Sequence, residues 1–575
     1  MVPKKLVIPA KAGIQYSNGI PDRVGDDALI VVKKKAGKIG NANVNDLPEG
    51  SLAFGHTRWA THGGVTDTNA HPHLDCSGTI ALIHNGIFEN YGMYKTLLIK
   101  KGHKFISETD TEVAVHLIED FAKKMDFAKA VQKAFNLMAG LNAIIAINTL
   151  DHKLVAARNG SPLVVGLGQG ENFLASDAAA LLPYTKKVYF LGDDEMAILG
   201  SNKIEIFGVR TDKPISPKII SLSWDSAGVL KGKFPDFMSK EISEQPKILE
   251  SITATGRTTT LKLSEIVKKS YGTYLVGCGS ASYVSLAGSY LFAKIAGRHV
   301  NWAVGSEFGY QLNFLTSKSL VVAISQSGET MDILESVKKA RIRGTKIFAL
   351  VNVLGSSLYR LSDYKMLIGA GPEKSVASTK VVTAMLAHLI LLSFALAGKV
   401  NDGQKALALA AKATRALLEP KSLRRLRKLA SQLKNSRHIY VIGRGLSYPA
   451  SLETAMKIKE ISYIHAEGMA AGELKHGPLA LVEKATPCIA YLPNDETYGA
   501  NLAGAMEMKA RGGYLVGISY KPHEIFDYYL PVSDCGQASI IPNIVTGQLL
   551  AYYLTLERGL DPDMPRNLAK SVTVK

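Results

Sequence analysis

The chain repeats itself. The stretch "YLVGCGSASYVSLAGSYLFAKIAG" around Gly279 returns as "IYVIGRGLSYPASLETAMKIKEIS" around Gly445, an offset of 166 residues, and Glu307 and Glu473 stand apart by the same 166. Two copies of one unit therefore follow each other. Within each, short apolar runs alternate with long helical patterns, which argues for α/β domains with parallel sheets built from βαβ units. In both copies a strand-like run ends in Gly-x-Gly before a helix, as Gly277-Cys278-Gly279 and Gly443-Arg444-Gly445. Glycine there lets the backbone turn sharply, and the helix start offers unpaired N–H groups to an anion. Turn geometry alone would also ask for these glycines.

The first copy contains "SLVVAISQSGETMDILESV", Ser319 to Val337. It reads as a buried parallel strand, a loop Ser325-Gln326-Ser327-Gly328-Glu329-Thr330 and an amphipathic helix. Open α/β sheets bind ligands beyond the carboxyl ends of their strands. Three hydroxyls and a glycine at a helix start suit a phosphate, because hydroxyls and backbone amides donate hydrogen bonds where the helix dipole is positive. The GxxxxGK[ST] pattern of a nucleotide P-loop is missing. A helix cap without any ligand fits these residues as well.

Ahead of the repeat, from about Asp27 to Phe207, short apolar runs such as "LNAIIAINTL" and "KVYFLGDDEMAIL" predict a β-rich region. Helical patterns in "ENYGMYKTLLIKKG" and "TDTEVAVHLIEDFAKKM" make it mixed, sheet plus helices. Pro214, Pro217, Pro235 and Pro246 mark a connector after it. The expected plan is a first domain over residues 1–209, a linker over 210–255, and the two copies over 256–405 and 406–575. A length of 575 residues accommodates three or four domains.

Four cysteines, widely spaced and without a CxxC pair, indicate neither a disulfide framework nor a zinc site, and suit a reducing, cytoplasmic setting. The N-terminal "MVPKKLVIPAKAGIQ" lacks the apolar core of a signal peptide. The longest apolar run, Val381 to Gly398, carries Thr383, His388 and Ser393 and reads as a buried helix rather than a membrane span. A net charge of +18 suits an anionic substrate. Its densest cluster, "KSLRRLRKLA", places Leu423, Leu426 and Leu429 at helical spacing, so the arginines form a solvated face. Without a helix-turn-helix or RNA-binding module, nucleic acid is not an expected partner.

The stretches "ISQSGET", "VASTK" at Val376–Lys380, "KEISYIHAEGMAAGELKHGPLAL" and "PRNLAKSVTV" resemble the glutamine–fructose-6-phosphate aminotransferase (glucosamine-6-phosphate synthase) family. In the first domain, "GHTRWATHGG", "NAHPH", "HNGIFENY" and "ETDTEV" are similar to its glutaminase half. The resemblance implies an α+β, N-terminal-nucleophile-type glutaminase sandwich followed by two sugar isomerase domains. It also implies a homodimer serving amino-sugar biosynthesis, with fructose 6-phosphate and glutamine or ammonia as substrates and no metal or organic cofactor. On the sugar side it implies that Lys570 forms a Schiff base with the ketose, Glu460 moves the C1–C2 proton beside Lys457, and His476 opens the ring. Ser325, Gln326, Ser327 and Thr330 would hold the phosphate, with further contacts from Ser280, Val376, Ser378 and Ala569. The family's Cys-Gly-Thr-Ser becomes Cys278-Gly279-Ser280-Ala281, which loses the second hydroxyl.

On the glutamine side, Arg58 and Asp110 match the groups for the substrate's charged ends, Asn85 and Gly86 the oxyanion donors, and Trp59, Thr61 and His62 their surroundings; an ammonia channel would pass Trp59. The family's nucleophile is a cysteine exposed by Met removal, whereas this chain begins Met1-Val2, and about its first 27 residues match nothing in the family. Either that start is a misassigned or rearranged form of a normal enzyme, or the protein uses free ammonia or only isomerises. The chain as written is expected to lack appreciable glutaminase activity. Alternatives are an ammonia-dependent synthase, a sugar-phosphate isomerase or deglycase, and a non-catalytic sugar-phosphate sensor.

Overall fold

Two long central strands, Ile80–Gly86 and Asn142–Asn148, pair antiparallel and set the layers of the first unit. They lie in a six-stranded sheet with, on one side, His73–Leu74 and, on the other, Leu154–Arg158, Glu195–Leu199 and Ile204–Gly208. Side chains alternate across a strand, so both faces of this sheet can be apolar. Leu82, Ile144, Ala146 and Val155 pack with the helices Tyr91–Lys100, Asp110–Ala122 and Phe127–Leu137. Ala81, Ile83, Ile147 and Ala156 pack on the opposite face with Val165 of a four-stranded sheet and with Ile30 and Phe54 of a three-stranded one. The result is one helical layer over a β-sandwich. The computed structural model describes residues 13–17 (backbone only), 29–37, 47–48, 50–58, 62–151, 153–222 and 230–570, so Trp59 and Thr61 lie outside the described residues.

The chain divides into units Met1–Trp224 and Asp225–Thr573. The second holds the repeat as two parallel five-stranded sheets. In the first sheet the order is Asn301–Val304, Thr273–Gly277, Leu320–Ser325, Lys346–Val351 and Tyr364–Leu367. In the second it is His465–Ala470, His438–Gly443, Pro487–Leu492, Tyr514–Ser519 and Tyr528–Pro531. Each copy thus reverses strand order between its first and third strands, which opens a crevice at their carboxyl ends. Gly279 and Gly445, which follow the first strands, both have φ of 55°, where a side chain would be strained.

The two copies share one apolar core, running from Met238 to Leu554. At its centre the helix Lys380–Leu396 is buried almost all round, as its apolar sequence requires, and no helix among the described residues is long and apolar enough to cross a membrane. The division expected at 405/406 falls inside the helix Val400–Leu417, which packs on Phe237–Thr255 and on Ile540–Glu557. In the helix Pro420–Leu433, Leu426 and Leu429 are buried and Arg424, Arg427 and Lys428 exposed.

The expected connector over 210–255 differs most from the structure. Residues Phe237–Thr255 form a helix with Pro246 inside it. Proline lacks the N–H that would bond the carbonyl four residues back. Gln245 Nε2 donates to that carbonyl, Ile242 O, at 3.2 Å, and burial of Met238, Ile242, Leu249 and Ile252 holds the helix to the core. The Asp563 carboxylate caps its start, accepting from the amides of Phe237 and Met238 at 2.9 and 2.8 Å.

Candidate active site

Strands Thr273–Gly277 and Leu320–Ser325 are neighbours in parallel register, so the turn at Ser280 and the loop Ser325–Thr330 leave adjacent strand ends. In the loop, Ser325 Oγ accepts from the Gly328 amide at 3.0 Å and shares a hydrogen bond with Thr330 Oγ1, also at 3.0 Å. Ser327 Oγ accepts from the Glu329 amide at 3.1 Å. Gly328 has φ of 66°, and a Cβ there would come within 2.1 Å of Ser356 Oγ. These bonds curl the loop over the start of the helix Met331–Ile342, and Gln326 and Ser327 stay part-exposed above it. Such a curl can receive an anion through hydroxyls and amides. In the second copy the same place holds Asn494-Asp495-Glu496-Thr497, whose carboxylates would repel a phosphate.

The end of the chain folds back onto the loop 373–378. Lys570 Nζ meets Glu373 Oε2 at 2.5 Å, and Ser378 Oγ donates to the same oxygen at 2.8 Å. Val376 N donates to Asp563 O at 3.0 Å, and Arg566 N to Tyr463 Oη at 2.7 Å, so the tail is pinned at two points ahead of the lysine. Ala569 and Lys570 are half-buried there. Burial raises the Glu373 carboxyl, but the Lys570 ammonium and the hydrogen bonds from Lys570 and the Thr379 amide outweigh it and hold the group below its ordinary range. Glu241, buried nearby, is pushed up to about 8 by burial and by the like charge of Glu373, with Lys570 opposing. It accepts from the amide of Lys374 at 2.5 Å and so holds the same loop.

A second group forms where the helix Ser447–Lys457 passes into a π-helical turn, Ile458–Ser462. Such wide turns re-aim side chains and are frequent at functional sites. Lys457 Nζ donates to Glu460 Oε2 at 2.5 Å and stands 3.6 Å from Glu453 Oε1. Ser280 Oγ, from the other copy, donates to Glu453 Oε1 at 3.1 Å. Burial alone would lower Lys457, yet Glu460 and Glu453 more than offset it and keep the lysine a fixed cation. Burial pushes Glu453 up to about 7 against the pull of Lys457. Lys457 also feels the charge of Glu373, so the two groups belong to one electrostatic neighbourhood. Glu460 lines an open cleft with Met456, Lys459, Tyr463, Arg566, Asn567 and Leu568.

His476 stands apart. It ends a short 3₁₀ turn, Glu473–His476, is exposed, and makes no hydrogen bond or ion pair among the described residues. Sequence reasoning passed over Glu373, Glu241, Glu453 and Asp563. Of these only Glu453 left a signal, four residues before Lys457 on one helix face.

In the first unit, Asn85 and Gly86 end the strand Ile80–Gly86 and Asp110 begins the helix Asp110–Ala122. Asp110 Oδ2 accepts from the Phe88 amide at 2.8 Å, which ties the strand's exit to the helix start. Arg58 donates to the carbonyls of His62, Gly63 and Gly64; burial lowers it, and the charges of Asp110 and Glu108 oppose that. His56, lowered by burial to about 4 and thus neutral, has Nε2 2.7 Å from Asn85 Oδ1, which fixes the amide's orientation. His62 packs edge-on to Tyr91 at 5.3 Å. Cys76 precedes the strand that Asn85 and Gly86 end, which at about 3.3 Å per residue puts its thiol roughly 20 Å from them.

A helix-covered β-sandwich followed along the chain by a doubled parallel-sheet sugar isomerase unit defines a glutamine amidotransferase of the sugar-phosphate class. The Glutamine amidotransferase domain family matches residues 56–183 and the SIS domain family residues 266–395 and 432–528. The chain is 41% identical to the glutamine–fructose-6-phosphate aminotransferase (isomerizing) of Thermus thermophilus, over 97% of this chain and 95% of that one. It is 40% identical to that of Thermococcus kodakarensis, over 96% and 94%. Among solved structures it is similar to the C-terminal domain of glucosamine-fructose-6-phosphate aminotransferase from Francisella tularensis, at 31% identity and a TM-score of 0.55, covering 58% of this chain and all of that one. The chain belongs to the isomerizing glutamine–fructose-6-phosphate aminotransferase family.

Proposed function

We propose that the chain forms glucosamine 6-phosphate from fructose 6-phosphate, with glutamine as the nitrogen donor, in the reducing cytoplasm. The observation that carries this reading is Lys570 seated on Glu373, which Ser378 also contacts, in the unit where Ser280 meets Glu453 beside Lys457 and Glu460. The loop Ser325–Thr330 takes the phosphate through hydroxyls and amides, with Val376, Ser378 and Ala569 along the sugar. Lys570 attacks the ketose carbonyl, and Glu373 is the nearest acceptor for the proton its amine must lose. Glu460, held by the fixed cation Lys457, moves the proton between C1 and C2. His476, exposed and unpaired among the described residues, opens the ring from a second copy, so the working form is a homodimer. In the first unit Arg58 and Asp110 bind the charged ends of glutamine, and Asn85 and Gly86 receive the oxyanion.

The test is product analysis with fructose 6-phosphate and either glutamine or ammonium. Glucosamine 6-phosphate in either arm supports the sugar chemistry, and none in both arms defeats it. A silent glutamine arm beside an active ammonium arm favours the ammonia-dependent synthase. The distance of Cys76 from Asn85 and Gly86 supports that second reading.

A further inference from the structure

Apart from the residues assigned to glutamine, the first unit gathers four metal-binding side chains on one point, Cys76 among them. Cys76 lies in the turn before the strand Ile80–Gly86, His103 follows the helix Tyr91–Lys100, and His116 and Glu119 lie on the helix Asp110–Ala122. Cys76 Sγ is 3.6 Å from Nδ1 of both His103 and His116, and Glu119 Oε2 is 2.9 Å from the same two nitrogens. In a tetrahedral zinc site, with Zn–S near 2.3 Å and Zn–N or Zn–O near 2.0–2.1 Å, neighbouring ligand atoms stand about 3.3–3.6 Å apart. Two of the six edges of such a figure thus match and two are drawn in at the carboxylate, and all four ligand atoms lie within 4.8 Å of one another.

The far sides of the two rings make the stronger argument. His116 Nε2 is 3.8 Å from Glu112 Oε1, His103 Nε2 is 3.8 Å from Asp120 Oδ1, and neither nitrogen has a hydrogen-bond partner. Each ring therefore lies between two carboxylates, and both side chains are almost wholly buried, at 1% and 2% exposure. A neutral imidazole carries one N–H, so unless a second proton or a metal ion sits on the ring, one end of each turns a lone pair toward a carboxylate. A metal on Nδ1 removes the conflict, because Nε2 then keeps its hydrogen and faces Glu112 or Asp120 in a carboxylate–histidine–metal relay.

We propose that Cys76, His103, His116 and Glu119 bind one zinc ion in a structural site. The thiolate and the Glu119 carboxylate balance its charge, and binding releases the thiol proton. With four protein ligands the site is closed to catalysis. Its effect is to tie the turn at Cys76 and the loop at His103 to the helix whose first residue is Asp110. The absence of a CxxC pair hid it, since its ligands spread from Cys76 to Glu119 with a single sulfur among them.

The full chain, stripped with a chelator and titrated with Co²⁺, should show tetrahedral visible bands and a near-ultraviolet thiolate charge-transfer band, saturating at one equivalent and displaced by Zn²⁺. Cys76→Ser should abolish the charge-transfer band while the far-ultraviolet circular dichroism is kept, and should weaken zinc binding by at least about 100-fold in chelator competition. A weak octahedral spectrum in the unmutated chain, or a charge-transfer band that survives Cys76→Ser, overturns the proposal.

Discussion

Lys570 and Glu373, 197 residues apart in the chain, meet at 2.5 Å. Glu373 is fully buried and already holds Ser378 and the amides of Thr379 and Val381, so the lysine docks on a group that is fixed before it arrives. Lys570→Ala should cut kcat by at least about 10³-fold while fructose 6-phosphate still binds. Borohydride should trap a covalent sugar adduct on the unmutated chain and none on the variant. Glu373→Gln keeps the shape and removes the proton acceptor, and should lower kcat about 10²-fold with KM little changed. Full activity in either variant would remove the lysine from the chemistry.

Glu453 sets a pH signature on stability. Its ordinary value of 4.5 rises to about 7 on folding, so the folded chain holds this proton more tightly than the unfolded one. Its favourable contribution is complete below 4.5 and is lost as pH rises to about 7. The loss is on the order of a few kcal/mol at about 1.4 kcal/mol per unit. Glu453→Gln stays neutral and can still accept from Ser280. Its melting temperature relative to the parent chain should therefore climb between pH 5 and pH 8, and a difference independent of pH would refute the assignment.

If the loop Ser325–Thr330 takes the phosphate, binding has a fixed stoichiometry. Asp495 and Glu496 stand in the second copy where Ser327 and its neighbours stand in the first, so fructose 6-phosphate should bind once per chain, measured by titration calorimetry. Gly328→Ala would force a Cβ against Ser356 and strain a left-handed residue, costing about 1–3 kcal/mol of stability and raising KM. Two sites per chain would contradict this reading.

His476 gives a test of assembly. His476→Ala and Lys570→Ala should each be inactive alone. Mixed after dissociation and reassembly, they should recover about one quarter of the parent activity if each site draws on two copies, because half of the random dimers then carry one intact site of two. No recovery, with exchange verified by mass, would return His476 to its own chain.

Much of this was legible in the sequence because it is local. The 166-residue repeat, the strand–loop–helix at Ser325 and the i,i+3 pair Lys457–Glu460 all depend on neighbours along the chain. Pro246 misled, since a side-chain amide one residue away can stand in for the N–H that proline lacks. Glu373 gave no sign, because its meaning comes from a lysine 197 positions on. The position 405/406 lies inside the helix Val400–Leu417 for a related reason: helical periodicity shows a buried face but not which core covers it.

Asp563 caps the helix Phe237–Thr255, and that helix carries Glu241, the carboxylate that steadies the loop under Lys570. The segment 561–570 is synthesised more than 300 residues after the helix it caps. A nascent second unit therefore keeps that helix without its Asp563 cap until the ribosome has delivered the same short segment that brings Lys570 onto Glu373. One short segment thus serves both the closing of a helix end and the placing of Lys570.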